Sequence, residues 1–368
     1  MSHKRKTLDG RSQPSLKYKM PKIQERKYYN LRSVLGNDKK NFIWLLGGRC
    51  AGKSYSVLRF FIHQYKNKGR PFTWLRLTEN ECKQLMANNG EKLIDPDIRR
   101  YYNLDVVTSG DNVYEVKRDE KGKILEKKFM CRVLALSTFY ADKGSGLYDN
   151  QFLKDPNMYY NICLDEMNKE KNARRTLDIL YSFTNQIENL VRLEHTRVRI
   201  ICIGNLLEEC SDLLAGINFI PVEFGRYKLK NKKSIVEYIP QTEAMAKSRK
   251  ESLASILTPD ASTFTNVDGA DMSRIFKGKL HKPTHLIKFD NKDKARWYVL
   301  WDSCIVHQYN GEKVNTVIEM SPYADGVFNP KLRDSVIKTH LARGYLFRNL
   351  ITQKKFVKEL ELLAPTGK

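Results

Sequence analysis

Apolar residues fall into short unbroken runs over the first two thirds of this chain and into alternating runs near its C-terminus, and the two patterns predict different architectures. The first run, Phe42-Ile43-Trp44-Leu45-Leu46, predicts a strand buried on both faces. Behind it Val57, Leu58, Phe61, Ile62 and Tyr65 recur at three-to-four spacing, the mark of a helix, which Gly69 closes. Residues 72–77 predict a second strand and residues 79–90 a helix. Residues 104–134 alternate polar and apolar runs around Ser109-Gly110-Asp111-Asn112 and Glu120-Lys121-Gly122-Lys123, so β-hairpins are expected. Further strands are predicted at 131–136, 158–164 and 198–203, with a helix over 174–191, while the glycine-bearing stretch 137–146 reads as a mobile loop. Buried strands alternating with helices give a parallel α/β sheet with its ligand at the strand C-terminal ends.

Beyond residue 240 the pattern changes. A short helical stretch over 242–256 leads into Thr258-Pro259-Asp260 and polar residues, which read as a linker. Strands are then predicted at 285–289, 296–301, 305–309 and 314–320, with Asn310-Gly311 as a turn, followed by helices near 329–342 and 352–363. The expected organisation is a basic arm over 1–27, an α/β domain over 28–240, a linker over 241–268 and a small α+β domain over 269–368.

Composition narrows the class. The 368 residues suffice for two domains, and 41% hydrophobic content is ordinary for a globular protein. The sequence contains no run of 18 apolar residues and its basic start lacks the apolar core of a signal peptide, so no membrane association is expected. Seven scattered cysteines without a Cys-x-x-Cys pair read as small core residues in a reducing compartment. The net charge of +23 points to a polyanion, most often nucleic acid, against the plainer reading of a basic protein without such a partner. Residues 1–32 carry ten Lys and Arg against Asp9 and Glu25, and further basic stretches run over 226–250 and 331–358.

The chemistry begins directly after the first strand. Gly47, Gly48, Arg49, Cys50, Ala51, Gly52, Lys53 and Ser54 spell GGRCAGKS, a phosphate-binding loop between strand and helix. Its backbone N–H groups and the positive end of the helix would cradle phosphates, Lys53 would reach the β- and γ-phosphates, and Ser54 would hold Mg2+. The apolar stretch 158–164 runs into Asp165-Glu166. Asp165 would hold Mg2+ through its water shell, and Glu166 would orient and polarise the attacking water. The strand over 198–203 ends in Gly204-Asn205, where Asn205 reads either as a γ-phosphate sensor or as a turn residue. Together these motifs predict hydrolysis of ATP or GTP.

With these residues in hand, the chain resembles the DNA-packaging ATPases of the phi29-like tailed phages, a branch related to the large terminase subunits. The resemblance rests on Arg49 within GGRCAGKS, on ICLDE ending in Glu166, and on IICIGN ending in Asn205, over residues 28–240. It implies an α/β P-loop ATPase domain of the additional-strand (ASCE) type, with a small α+β C-terminal domain similar to a vestigial RNase H-like nuclease. It also implies ATP and Mg2+ as cofactors and a homopentameric ring at the portal (connector) of an empty capsid in the host cytoplasm, driving double-stranded DNA inward. In this branch a packaging RNA belongs to the motor. Each site of such a ring is completed by its neighbour. The resemblance assigns the trans-acting lysine to Lys143 and the arginine finger to Arg192, with Arg197 as rival because one residue is inserted before the strand. Asn205 gains the sensor role. Arg76 matches a family arginine, but Leu77, Thr78 and Glu79 replace the basic residues that follow it there, so no DNA-contacting residue is carried over.

Two other readings stay open at this point. A terminase with a live nuclease would gather Asp290, Asp302 and Glu319 around metals, Asp302 standing as the first-strand aspartate. A nucleotide switch or kinase of the same α/β class would leave the positive charge incidental.

Overall fold

In the computed structural model, which describes residues 17–18, 29–35, 40–48, 51–143, 159–168, 177–191, 197–205, 211–221, 224–231, 233–240, 243, 247, 273–291, 294–320 and 330–363, contacts group the chain into two units. Among the described residues, one comprises those within 12–207 and 221–269, the other those within 208–220 and 270–368. Arg49, Cys50, Arg192 and nearly all of the stretch expected to be helical at 242–256 lie outside the described residues.

The first unit begins with β1 (Lys17–Tyr18), α1 (Arg32–Leu35), β2 (Phe42–Gly47), α2 (Lys53–Lys68), β3 (Phe72–Arg76), α3 (Glu79–Gly90) and α4 (Pro96–Tyr102). It continues through β4 (Val106–Ser109), β5 (Asn112–Arg118), β6 (Ile124–Ala135), β7 (Tyr160–Leu164), α5 (Ile179–Val191) and β8 (Val198–Gly204). The short α6 (Asp212–Gly216) groups with the second unit, after which β9 (Gly225–Lys228) and β10 (Ser234–Ile239) complete the first. Among the described residues the sheet runs β1-β9-β10-β2-β8-β7-β3-β6-β5-β4. Its centre, from β10 to β6, is wholly parallel, with antiparallel strands at both margins. The strand β8 is inserted between β2 and β7.

The central strands are mostly apolar because both faces are covered; every residue of β7 and β10 is buried, Asn161, Ser234 and Glu237 included. On one face α2 lays Val57, Leu58, Phe61, Ile62 and Tyr65 onto the sheet, and Phe61 meets Phe72 and Trp74 at ring-centre distances of 5.2 and 6.3 Å. Burial of one such ring stabilises by about 1.5–3 kcal/mol.

Three local expectations change. Residues 137–142, read as loop, and Leu136, read as the end of a strand, form a 3-10 segment (Leu136–Asp142). Asn189 of α5 donates to the Phe139 carbonyl at 2.8 Å and Gln186 to the Asp142 carboxylate at 2.9 Å, so tertiary bonds order what glycines further along suggested was mobile. The helix α4 was not foreseen, although Asp95 caps it and Pro96 opens it. The basic stretch from 226 hides β9 and β10, with Arg226 spending its charge on the buried Glu237 at 3.1 Å.

The second unit contains β11 (Pro283–Asn291), β12 (Lys294–Trp301), β13 (Ile305–Gln308), β14 (Val317–Glu319), α7 (Pro330–Leu341), β15 (Leu346–Phe347) and α8 (Leu350–Leu363). Its sheet runs β14-β11-β12-β13-β15, an antiparallel meander with a parallel strand on each side. Phe356 of α8 centres the core, with Phe289, Tyr298, Tyr345 and Phe347 all within 6 Å between ring centres. The third basic stretch is partly structural here: Arg348 is buried and donates to the Gly278 carbonyl at 2.7 Å, and Lys354 pairs with Asp212 at 3.4 Å.

Candidate active site

Parallel strands end together, and four of these ends carry the chemistry. β2 ends at Gly47 beside Gly204 at the end of β8, the next strand β7 runs out into Asp165, and β3 ends at Arg76. After β2 the chain reaches Gly52, whose φ of 79° is left-handed and suits glycine at the turn into α2. No side chain caps α2, so its first N–H groups and positive dipole end are left for an anion. Lys53 is buried there, its ammonium donating to the carbonyls of Gly47 (3.0 Å) and Gly48 (2.7 Å) and to Oδ1 of Asn205 (3.0 Å). A phosphate would be a stronger partner for this charge than two carbonyls.

The next residue turns toward the acidic strand. Ser54 donates from its hydroxyl to Oδ1 of Asp165 at 2.8 Å, setting two oxygens side by side as a hard divalent cation requires. Burial pushes the Asp165 carboxyl above its ordinary range, against the pull of Arg76, the Ser54 hydroxyl and Lys53. Arg76 bridges both acids, one guanidinium nitrogen 3.1 Å from Asp165 and another 3.1 Å from Glu166. Glu166 is half exposed and left-handed, with φ 56°. The cause is a change of partner: Asp165 N–H donates to Leu75 on β3, while Met167 N–H donates to Ile203 on β8. Arg76 went unassigned in the sequence, since nothing there says that β3 borders β7.

No family model and no curated protein sequence matches this chain. Solved structures do. The bacteriophage phi29 viral genome packaging motor assembly superposes with a TM-score of 0.61 at 16% identity, covering 92% of this chain and 99% of that one. The phi28 gp11 DNA packaging motor gives 0.59 at 16% identity, over 94% and 100%. The chain has the packaging-motor fold.

Within this packaging-motor fold the structure brings together Gly47, Gly48, Ala51, Gly52, Lys53, Ser54, Asp165, Glu166 and Asn205, and adds Arg76. Lys143 is exposed just beyond the 3-10 segment that follows β6, four strand positions from β2. Arg197 precedes the first residue of β8, at the sheet edge opposite Asn205. Beside the loop opens a cavity of about 820 Å3 lined by Tyr29, Asn30, Gly52, Tyr55, Arg59 and Tyr102 among others, ample for a base and sugar. Its wall is fixed: Tyr29 N–H donates to Ala51, Leu31 N–H to the Ser56 hydroxyl, and the Tyr29 hydroxyl to Glu237 at 3.0 Å. Sequence reading missed this cavity, whose only signal was aromatic residues flanking the loop at a distance.

The acids of the second unit do not converge. Asp302 belongs to a tight turn with φ 48°, its carboxylate accepting from the backbone of His281 (3.3 Å) and Lys282 (3.1 Å). Glu319 lies 3.6 Å from Lys288, five residues along β11 from the end next to Asp302, or about 17 Å. The side chain of Asp290 is outside the described residues. Among the described residues no group of three His, Cys, Asp or Glu is arranged to hold a metal ion. Asp302 is therefore a turn residue, correcting its reading as a first-strand nuclease aspartate.

Proposed function

We propose that this chain is the ATP-hydrolysing subunit of a viral genome-packaging motor, which drives double-stranded DNA into a preformed capsid as a ring, homopentameric as in the family it resembles. The observation that carries the reading is the Lys53–Asn205 and Ser54–Asp165 pairs at the ends of adjacent parallel strands, in a fold shared almost end to end with solved packaging motors. The phosphates of ATP would take the N–H groups at the start of α2 and the ammonium of Lys53, and its base and sugar the neighbouring cavity. Mg2+, held by Ser54 and Asp165, would neutralise charge building on the β- and γ-phosphates.

Glu166 would accept the proton of the attacking water, once Arg76 lets go of it. Lys143 is exposed eight residues beyond β6, itself about 19 Å across the sheet from β2, and this exposure supports its acting on a neighbouring subunit's phosphate. Arg192 remains our finger, with Arg197, just before β8 at the end opposite Asn205, as its rival. The portal and a packaging RNA are the remaining partners, and the host cytoplasm, at the portal vertex, is the setting. No described helix is long and apolar enough to cross a membrane. The second unit is read as a vestigial RNase H-like nuclease. The meander with β14 parallel to β11 supports the ancestry, and the dispersed acids support the loss of cleavage.

Glu166→Ala tests the core of this reading. ATP binding should persist while DNA-stimulated turnover falls by about two to four orders of magnitude. Undiminished turnover would overturn the assignment. Imaging with a slowly hydrolysed ATP analogue should show rings or split rings with DNA in the bore.

A further inference from the structure

The strands β7 and β8 stay joined after their ladder ends, and the joint lies between the two groups that would meet the γ-phosphate. Met167 N–H donates to the Ile203 carbonyl at 2.9 Å. One residue on, the Asn168 amide donates to the backbone carbonyl of Asn205. Its orientation is unambiguous, because a carbonyl accepts only and must face the NH2 end. Between these bonds Gly204 has no room for a side chain: a Cβ would lie 2.9 Å from Cγ and Cε of Met167 and 3.2 Å from the Asn168 nitrogen. Asn205 in turn accepts from Lys53 through Oδ1, and Glu166 is the left-handed residue immediately before Met167. The Oδ1 of Asn168 is buried with no partner among the described residues, although an unmet buried acceptor costs about 1–3 kcal/mol. Among the described residues the bond from its NH2 group to Asn205 is the one the side chain makes.

We propose that Asn168 is a positioning residue, tying the backbone of Asn205 to the segment that carries Glu166. Presence of the γ-phosphate at Lys53 is thereby felt at the carboxylate that activates water. The proposal rests on the hydrolysis reading above. When phosphate draws Lys53 from its carbonyl partners, the Asn205 side chain is released, but its backbone remains fastened by Asn168. Any shift at the end of β8 then moves residues 166–168 with it. Asn168 touches neither water nor phosphate; it acts through Asn205 and Glu166.

The test uses the full chain, with steady-state ATPase rates, ATP affinity and melting temperature measured together. Asn168→Ala should lower kcat by about tenfold or more and leave ATP affinity within about twofold. Asn168→Asp keeps the shape but sets a carboxylate against the Asn205 carbonyl, and should be lower still. In a double-mutant cycle Asn168→Ala should add little to Asn205→Ala, since the first cuts the tie to residues 166–168 and the second the side-chain link to Lys53, two steps of one path. Asn41→Ala is the control: it removes a like amide-to-carbonyl bond, 2.9 Å to Val198 at the other end of β8, and should leave kcat unchanged. Wild-type kcat in Asn168→Ala, or losses that simply add in the cycle, would overturn the proposal alone. No turnover in the unaltered chain would remove the hydrolysis reading and this inference with it.

Discussion

The two sheets of this protein treat the ends of their strands in opposite ways. In the first, Gly47, Arg76, Asp165 and Asn205 end or follow parallel strands, so all reach one edge, where the Gly47 carbonyl and the three side chains each lie within 3.1 Å of a partner. In the second, β11, β12 and β13 alternate in direction, so Asp302 after β12 and Glu319 beside the far half of β11 are sent to opposite edges. The same residue type at the same place in a sequence pattern joins a candidate site in one case and a turn in the other. Strand direction decides which, because only parallel strands gather their C-terminal ends.

The largest test of that convergence is Arg76→Ala. Arg76 is the cation that both acids share, and its loss leaves the buried Asp165 carboxyl without its guanidinium partner. Removing one partner of a buried pair costs about 3–5 kcal/mol. The melting temperature of the nucleotide-free variant should drop accordingly, and saturating Mg2+ with an ATP analogue should recover much of the loss. A variant that melts like wild type without nucleotide would mean that the acids do not depend on Arg76.

A smaller effect tests the cavity wall. Glu237 is fully buried under Tyr29, and burial holds its carboxyl above the ordinary range despite Arg226 and the Tyr29 hydroxyl. A carboxyl whose folded pKa exceeds its unfolded value of about 4.3 contributes its stability in full below that value. The contribution is lost as pH rises through the folded pKa. Glu237→Gln cannot titrate. Relative to wild type, its melting temperature should therefore improve as pH is raised from about 4 to about 7. A gap that stayed constant over that range would show that Glu237 titrates alike in the folded and unfolded chains.

What the sequence revealed follows the same division. The runs at 42–46 and 198–203 match the strands Phe42–Gly47 and Val198–Gly204 almost to the residue, because strands buried on both faces leave unbroken apolar text. β10 went unread because Glu237 interrupts Ile235, Val236, Tyr238 and Ile239, and the arginine that neutralises it lies on a separate strand. The 3-10 segment Leu136–Asp142 is ordered by α5, about 50 residues away in the chain, which no local window contains. The phosphate loop was legible as a motif. The Arg76 clamp was not, since it depends on β3 lying beside β7, and strand order leaves no mark in either segment.

The smallest expected effect belongs to Asp302, where the antiparallel sheet predicts a local role only. Its carboxylate accepts from two backbone N–H groups, which hold its pKa below the ordinary range, with His281 close by. Asp302→Asn keeps one of the two acceptor oxygens and suits the left-handed φ but loses the charge, so near neutral pH its melting temperature should fall between those of wild type and Asp302→Ala. Asp302→Ala loses both bonds and strains the turn, so it should melt slightly lower, with ATP turnover unchanged. The stabilising charge is present above the unfolded pKa and fades as pH falls through the lower folded one, so the gap between wild type and Asp302→Ala should close in acid. Mn2+ should neither raise the melting temperature of the wild type through this residue nor elicit plasmid cleavage that Asp302→Ala abolishes. Cleavage of that kind would place a metal at Asp302 and make the second sheet a converging site after all.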